Sequence, residues 1–353
     1  MMKRRDFLTT AAIGTMSMTA LTHSPQNINA EEPAVVPAEN KTEKLRFTEN
    51  GTFKIVQFTD THYRTDKEFS KESVKLIAET LEAEKPQLAV YTGDIVVSVN
   101  IRQGWNDILA PCIERQIPWA VVLGNHDDEA KVSRKEIFQH IVNKPYSVTS
   151  FGPENIKGVG NYVLEILDPK NDGVKFLLYC LDSNAYSTIK GVPTYGWFEN
   201  NQIAWYRRQS ESYTKTNGGK PLPALAFFHI PLNEYGEMIH FRAKTIGERK
   251  ENECPGAANS GMFLAMLECG DVMGTFVGHD HLNDYLGLWK GVALGYGRFS
   301  GTKTTYVKEP HGARILEISN SGERSFKTWI RLRGGEKLFN AVVPQDLIEK
   351  KEK

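Results

Sequence analysis

The sequence predicts an α/β domain built in layers, and three observations carry that prediction. Between residues 53 and 123, short apolar runs of strand length alternate with longer segments whose apolar residues recur at helical spacing. Farther along, short β-type runs are joined by turns rich in Gly and Asn. With 353 residues, 40% apolar and 24% charged, the chain can bury a sizeable core and is not composed like a disordered one.

Phe53 to Thr59 reads as a strand, and Glu72 to Glu84 as a helix with Val74, Ile77, Ala78 and Leu81 on one face. Leu88 to Thr92 is the next strand, Gly104 to Arg115 the next helix, and Trp119 to Leu123 a third strand. Asn161 to Leu167 and Lys175 to Asp182 read as strands joined by a hairpin-like turn at 168–173. Glu199 to Tyr213 reads as a helix followed by the turn Asn217-Gly218-Gly219. Ala224 to Phe228 is a short buried strand, and Asn259 to Glu268 a helix. Thr275 to Val277 leads into a loop, after which Asp284 to Trp289 and Val292 to Leu294 pair through Lys290-Gly291. Arg314 to Ser319 and Phe326 to Arg331 pair through Asn320-Ser321-Gly322. No repeat and no second core is evident. One domain over residues 45–345 is therefore expected, with a flexible leader at 31–44 and a charged tail at 346–353.

The start of the chain has a separate meaning. Lys3-Arg4-Arg5-Asp6-Phe7-Leu8 is a basic region running into a mild apolar stretch that ends at Leu21, and Ala30 offers a small residue before Glu31. The stretch is too short and polar for a stable membrane span. Its paired arginines resemble a twin-arginine signal, which is read by export machinery for folded proteins. Residues 1–30 are thus expected to direct export, to the periplasm or otherwise across the membrane, with an uncleaved anchor as the alternative.

Lys plus Arg equals Asp plus Glu at 43 each, which leaves no electrostatic footprint for a nucleic-acid partner. No nucleotide-binding glycine loop is evident. None of the four cysteines is spaced C-x-x-C, which argues against a cysteine zinc site. Cys112 and Cys180 read as buried small hydrophobes, whereas Cys254 and Cys269 could pair in an oxidising compartment and stabilise by up to ~3 kcal/mol.

The chemistry lies in the residues just beyond the strands. Asp60-Thr61-His62 comes after the first, Gly93-Asp94 after the second, and Gly124-Asn125-His126-Asp127 after the third. His229 ends the strand from Ala224, and Gly278-His279-Asp280-His281 comes after Val277. Sites of α/β folds assemble at the carboxyl ends of strands, and five strands here end in residues able to bind metal. The i, i+2 spacing of Asp60/His62 and of His279/His281 aims both side chains the same way along extended backbone. Glycines before Asp94, Asn125 and His279 permit sharp turns and close approach. Each block alone is weak, since a lone His is more often a satisfied core or surface residue. His23, His140, His240 and His311 lack any such setting.

In this order the blocks closely resemble the signature of the calcineurin-like metallophosphoesterase superfamily: Asp-x-His, Gly-Asp, Gly-Asn-His-Asp/Glu, a later His, and Gly-His-x-His. Phe228-His229-Ile230-Pro231, Asn259-Ser260-Gly261, Gly278 to Asp284 and Tyr296-Gly297-Arg298 resemble its purple-acid-phosphatase-like branch. The resemblance implies a central β-sandwich of mixed sheets flanked by helices, in four layers. It implies two metal ions, one held by Asp60, His62 and His281 and the other by Asn125, His229 and His279, with Asp94 bridging. His126 would face the substrate as an acid or charge stabiliser, and Asp127 could orient it.

Two divalent ions at the ~4 Å spacing of two-metal sites repel by ~17 kcal/mol at an effective dielectric of 20. A shared carboxylate and a bridging hydroxide offset that repulsion, and the small positive charge left over attracts a phosphate oxyanion. The expected function is hydrolysis of a small phosphate ester, most simply a phosphomonoester. A phosphodiesterase, a nuclease and a catalytically silent exported binding protein are the alternatives. Purple acid phosphatases place a Tyr three residues after the bridging Asp, where this chain has Val97. A tyrosinate-bound ferric ion and its colour therefore do not carry over, and Fe, Mn and Zn all suit the ligand set. Arg298 could grip phosphate or serve as a salt-bridge partner. Asn259-Ser260-Gly261 could cap a helix, and Tyr195 and Trp197, in and beside the loop 191–196, could form a lid or pack locally.

Overall fold

The computed structural model describes residues 44–348. The signal read at residues 1–30 lies outside the described residues, as do nearly all of the leader and the end of the tail.

A first βαβαβ unit runs β1 (Thr52–Phe58), α1 (Lys71–Glu84), β2 (Leu88–Thr92), α2 (Ile101–Glu114) and β3 (Trp119–Val122), its three strands parallel. The helix α3 (Arg134–Ile141) follows, then the antiparallel pair β4 (Tyr162–Leu167) and β5 (Val174–Cys180). Next come α4 (Asn200–Thr216), β6 (Ala224–Phe227), α5 (Asn233–His240), β7 (Thr245–Ile246), α6 (Met262–Cys269) and β8 (Val272–Val277). The chain closes with β9 (Leu286–Trp289), β10 (Val292–Tyr296), β11 (Gly312–Ser319), β12 (Phe326–Leu332) and β13 (Lys337–Val343).

These strands form two mixed sheets, ordered β13-β12-β11-β1-β2-β3 and β4-β5-β6-β8-β10-β9-β7. Parallel strands occupy the middle of both, which is where near-continuous apolar runs such as Leu88–Thr92 and Ala224–Phe227 belong, since both faces are covered. Phe53, Ile55, Phe276, Leu225 and Ile315 share one core that joins the sheets face to face. Gln57, fully buried in β1, donates from Nε2 to Thr92 Oγ1 in β2 at 2.9 Å and to the Val277 carbonyl of β8 at 3.0 Å, tying the sheets beneath the site. A second core on the other face of the second sheet takes in Tyr206 of α4, Met238 of α5 and Met266 of α6. The architecture is the β-sandwich flanked by helices that the resemblance implied.

The helices α3 and α5, the two-residue β7 and the strand β13 were not expected. Eight-residue helices give barely two turns of periodicity, and β13 loses its alternation where Phe339 adopts φ 55°. Cys254 and Cys269 are free, so the pairing considered from the sequence does not form. Among the described residues, no helix is long and apolar enough to cross a membrane.

One ion cluster ties the far edge of the first sheet to α1. Glu84, at the end of α1, meets Arg331 at 2.9 Å and Lys337 at 3.0 Å. Burial opposes its charge, but Lys337 and Arg331 outweigh burial and hold its pKa below the ordinary value. A depressed carboxylate stabilises above the unfolded-state pKa and loses that contribution as pH falls through the folded one. We expect Glu84→Gln to cost about 1–2 kcal/mol at pH 7, between the values for exposed and for buried pairs because Lys337 is partly solvated. Denaturant melts should show the gap between variant and wild type closing from roughly pH 5 downward.

Candidate metal centre

The five strand ends converge. Asp60 and His62 follow β1, Asp94 follows β2, Asn125 and His126 follow β3, His229 follows β6, and His279 and His281 follow β8. The ligand atoms of Asp60, His62, Asp94 and His281 lie within 4.8 Å of one another, and so do those of Asp94, His229 and His279. Asp94 belongs to both groups, which is the arrangement of a candidate dimetal site. Both sheets contribute, so the centre lies across the end of the sandwich.

Getting these side chains together strains the backbone. Asp60 (φ 55°), His62 (41°), Asp94 (53°) and His279 (77°) all adopt the left-handed region, at about 1–2 kcal/mol each. Specific hydrogen bonds hold them there: Asp60 N–H donates to the Gly93 carbonyl at 3.0 Å and His62 N–H to the Asp94 carbonyl at 2.9 Å. The glycines serve close approach. A Cβ on Gly124 would collide with the Asp94 carboxylate and amide, and one on Gly278 with Thr59 and Asp60.

Each donor is aimed inward by a partner behind it. His229 uses Nδ1 on the Thr92 carbonyl at 2.8 Å, which leaves Nε2 3.1 Å from Asp94 Oδ2. His281 Nε2 lies 3.3 Å from Asp60 Oδ1 and 3.2 Å from His62 Nε2. Asn125 commits its amide nitrogen to Tyr186 Oη at 3.3 Å, and its Oδ1 is buried without a partner. A buried amide oxygen with nothing to accept is costly unless a cation takes it.

The electrostatics also fit a cation. Burial drives the His62 pKa down to about 4 and that of His279 down to about 3, so both rings are neutral and free to ligate. Burial opposes charge on Asp94 as well, but His229 and His62 hold its pKa well below the ordinary range. In return, and against burial, Asp94 and Asp60 push His229 up to about 9. Two buried carboxylates therefore stand among imidazoles and draw in positive charge. Residues of this type, with oxygen and nitrogen donors mixed, suit Fe, Mn or Zn.

Two expectations need correcting. Asp127 does not touch His126; its fully buried carboxylate accepts from the backbone N–H groups of Gly124 (2.7 Å), Asp94 (2.9 Å), Ile95 (2.9 Å) and Val96 (3.1 Å). It shapes the loop that carries Asp94, because a buried anion seeks every donor within reach. Arg298 is not open to phosphate either: its guanidinium is buried, donates to Asp284 Oδ2 at 2.7 Å and to the Pro310 carbonyl at 3.0 Å, and is the salt-bridge partner of the two alternatives. Gly261, rather than an Asn259 or Ser260 side chain, caps α6. Tyr195 packs edge-on against His279 with ring centroids 4.2 Å apart, while Trp197 lines a neighbouring cleft.

Three further residues shape the site without belonging to any of the ligand blocks. Glu129 Oε2 lies 2.8 Å from His126 Nδ1, and Tyr186 Oη donates to Glu129 Oε1 at 2.8 Å. Arg134, on the first turn of α3, donates to the carbonyls of Gly124 (2.7 Å) and Leu123 (3.2 Å) and pairs with Asp182 at 2.7 Å. The i, i+3 spacing of His126 and Glu129 was a usable signal; nothing near Tyr186 or Arg134 distinguished them.

Asp127→Asn should turn a donor toward backbone donors and cost about 2–4 kcal/mol. Elemental analysis after dialysis should then find fewer than two ions per chain where the wild type retains two. Full retention would mean that Asp127 does not shape the Asp94 loop.

Residues 53–283 match the family model for the calcineurin-like phosphoesterase domain. The probable inactive purple acid phosphatase 29 of Arabidopsis thaliana is 34% identical over 340 residues, 84% of this chain and 86% of that protein. Phosphatase DCR2 of Saccharomyces cerevisiae is 34% identical over 340 residues, 85% of this chain and 57% of that one. Among solved structures, a dimetal phosphatase from Danio rerio superposes with a TM-score of 0.55 at 13% identity, covering 83% of this chain and 99% of its own, which is a likeness of fold. With the family model spanning well over half of its length, this chain belongs to the calcineurin-like phosphoesterase family and is similar to its purple acid phosphatases.

Proposed function

We propose that the protein is a binuclear metal-dependent phosphoesterase that hydrolyses small phosphate esters, phosphomonoesters foremost. One observation carries this reading: two ligand groups share Asp94, and His126 stands beside both without belonging to either. Its ring centre is 5.4 Å from that of His62, and its exposed edge leaves it open to a bound ester.

Asp60, His62 and His281 would hold one ion and Asn125, His229 and His279 the other, with Asp94 between them. When bound, such ions neutralise the phosphate oxygens and supply a water-derived nucleophile near neutral pH. The chain's own residues do the rest. Thr59 donates to Asp60 Oδ2 at 2.7 Å and Thr92 fixes the His229 tautomer, so the donors are oriented before any substrate arrives. His126 N–H donates to Asp94 Oδ1 at 2.8 Å, which fixes where its imidazole begins. That imidazole gives a proton to the departing oxygen as the P–O bond breaks.

A silent binding protein is the second reading, because the Arabidopsis relative carries "probable inactive" in its name. The complete donor set and the open His126 support activity in this chain. Metal-loaded protein should hydrolyse p-nitrophenyl phosphate faster than the bis ester, lose activity to chelator, and lose on the order of 10²-fold or more in Asp94→Asn. Protein holding two ions yet cleaving neither ester would leave the binding reading standing.

Export belongs to the same proposal, and its support is the Lys3-Arg4-Arg5 start. Replacing both arginines by Lys should retain the full-length chain in the cytoplasm, as read by cell fractionation. Undiminished export would remove the twin-arginine reading.

A further inference from the structure

We propose that Glu129 and Tyr186 form a brace that positions His126 for proton delivery to poor leaving groups, so that the site is built for alkyl rather than aryl phosphate esters. This rests on the phosphoesterase reading and says which esters need the machinery.

The geometry is a closed chain of contacts. Glu129 N–H donates to the His126 carbonyl at 3.3 Å, making a turn that brings the Glu129 side chain back over His126. Its Oε2 then lies 2.8 Å from His126 Nδ1, and its Oε1 accepts from Tyr186 Oη at 2.8 Å. Tyr186 in turn receives the Asn125 amide at 3.3 Å and stacks on Tyr195, with ring centroids 5.8 Å apart. Tyr195 packs on His279. The loop bearing both tyrosines is pinned by paired backbone bonds, Ser187 N–H to the Thr194 carbonyl at 2.9 Å and Gly196 N–H to the Ala185 carbonyl at 3.0 Å.

The chemistry depends on which nitrogen is engaged. With a carboxylate oxygen 2.8 Å from Nδ1, Nε2 is the ring nitrogen left to meet an ester. As water oxygen bonds to phosphorus and the bond to the leaving oxygen breaks, the doubly protonated ring passes its Nε2 proton to that oxygen and keeps the Nδ1 proton beside Glu129. The consumed water restores the proton, giving phosphate and alcohol. An alkoxide leaves badly without that proton, whereas a nitrophenolate leaves unaided, so positioning of the donor matters for the first and little for the second. Glu129 and Tyr186 are both substantially exposed, so their value lies in orientation rather than stability.

The test compares ethyl phosphate with p-nitrophenyl phosphate on zinc-loaded wild type, Glu129→Gln and Tyr186→Phe, each shown to carry two ions. In Glu129→Gln the ratio of kcat on the alkyl ester to kcat on the aryl ester should fall about tenfold or more, with KM little changed. Tyr186→Phe should move the ratio the same way by less. Equal losses on both esters, or no loss on either, would overturn the brace. Nitrogen–proton correlation spectra of the imidazoles, assigned with His126→Gln, supply a readout free of turnover. In its singly protonated form wild-type His126 should keep the proton on Nδ1, beside Glu129, so that Nε2 is the site that gains and gives up the second proton, and Glu129→Gln should mix the tautomers. A wild-type ring already mixed would overturn the brace whatever the activity, whereas an ordered ring in protein that cleaves neither ester would uphold the brace and sink the phosphoesterase reading instead.

Discussion

The site depends on one buried carboxylate that lies behind the candidate ligand side chains and bonds only to backbone. Asp127 gathers four backbone N–H groups from the ends of β2 and β3. Charge-assisted bonds of this kind contribute about 1.5–3 kcal/mol each, enough to hold Asp94 in a left-handed conformation that costs about 1–2. Arg134 does the converse on the loop after β3, donating to the carbonyls of Leu123 and Gly124 while Asp182, just beyond β5, balances its charge. In the loop after β3 the Gly124 N–H thus goes to a buried anion and two carbonyls go to a buried cation. Asn125 and His126 are presented by a backbone with little freedom to move.

The two sheets meet at the centre through direct bonds across the seam. Asp60, His62, Asp94 and Asn125 come from the first sheet, and His229, His279 and His281 from the second. His279 N–H donates to both Asp60 carboxylate oxygens, at 3.2 and 3.1 Å, across the seam. Below it Gln57 repeats the crossing, and Phe276 meets Phe326 of the first sheet with ring centroids 5.8 Å apart. Ions bound here would cross-link the sandwich as well as serve chemistry, so metal affinity and fold stability are coupled by construction.

Legibility in the sequence tracked the strength of periodicity and the sharpness of local chemistry. Strands Leu88–Thr92 and Trp119–Val122 stood out because buried parallel strands are continuous apolar runs between turn signals. The ligand blocks were readable because each lies directly after such a run, and strand direction then dictates convergence. The short α3 announces itself only through its Ser133/Glu136 capping box, a weak signal with two turns of helix behind it. What no local pattern could reveal was the partner of each polar group across the fold. Arg298 and Asp284 are fourteen residues apart, and Tyr186 and Glu129 fifty-seven.

Residues 127–129 show why identity alone does not assign a role. Three acidic side chains come after His126, and the turn sends them in different directions. Asp127 points inward and becomes the scaffold of the Asp94 loop. Asp128 is half-buried, with Arg134 at 3.8 Å, and burial raises its pKa. Glu129 folds back over the turn to His126. Adjacency made Asp127 the natural partner for the histidine. A side chain at i+1, however, faces away from its neighbour in a tight turn, while i+3 returns to the same side.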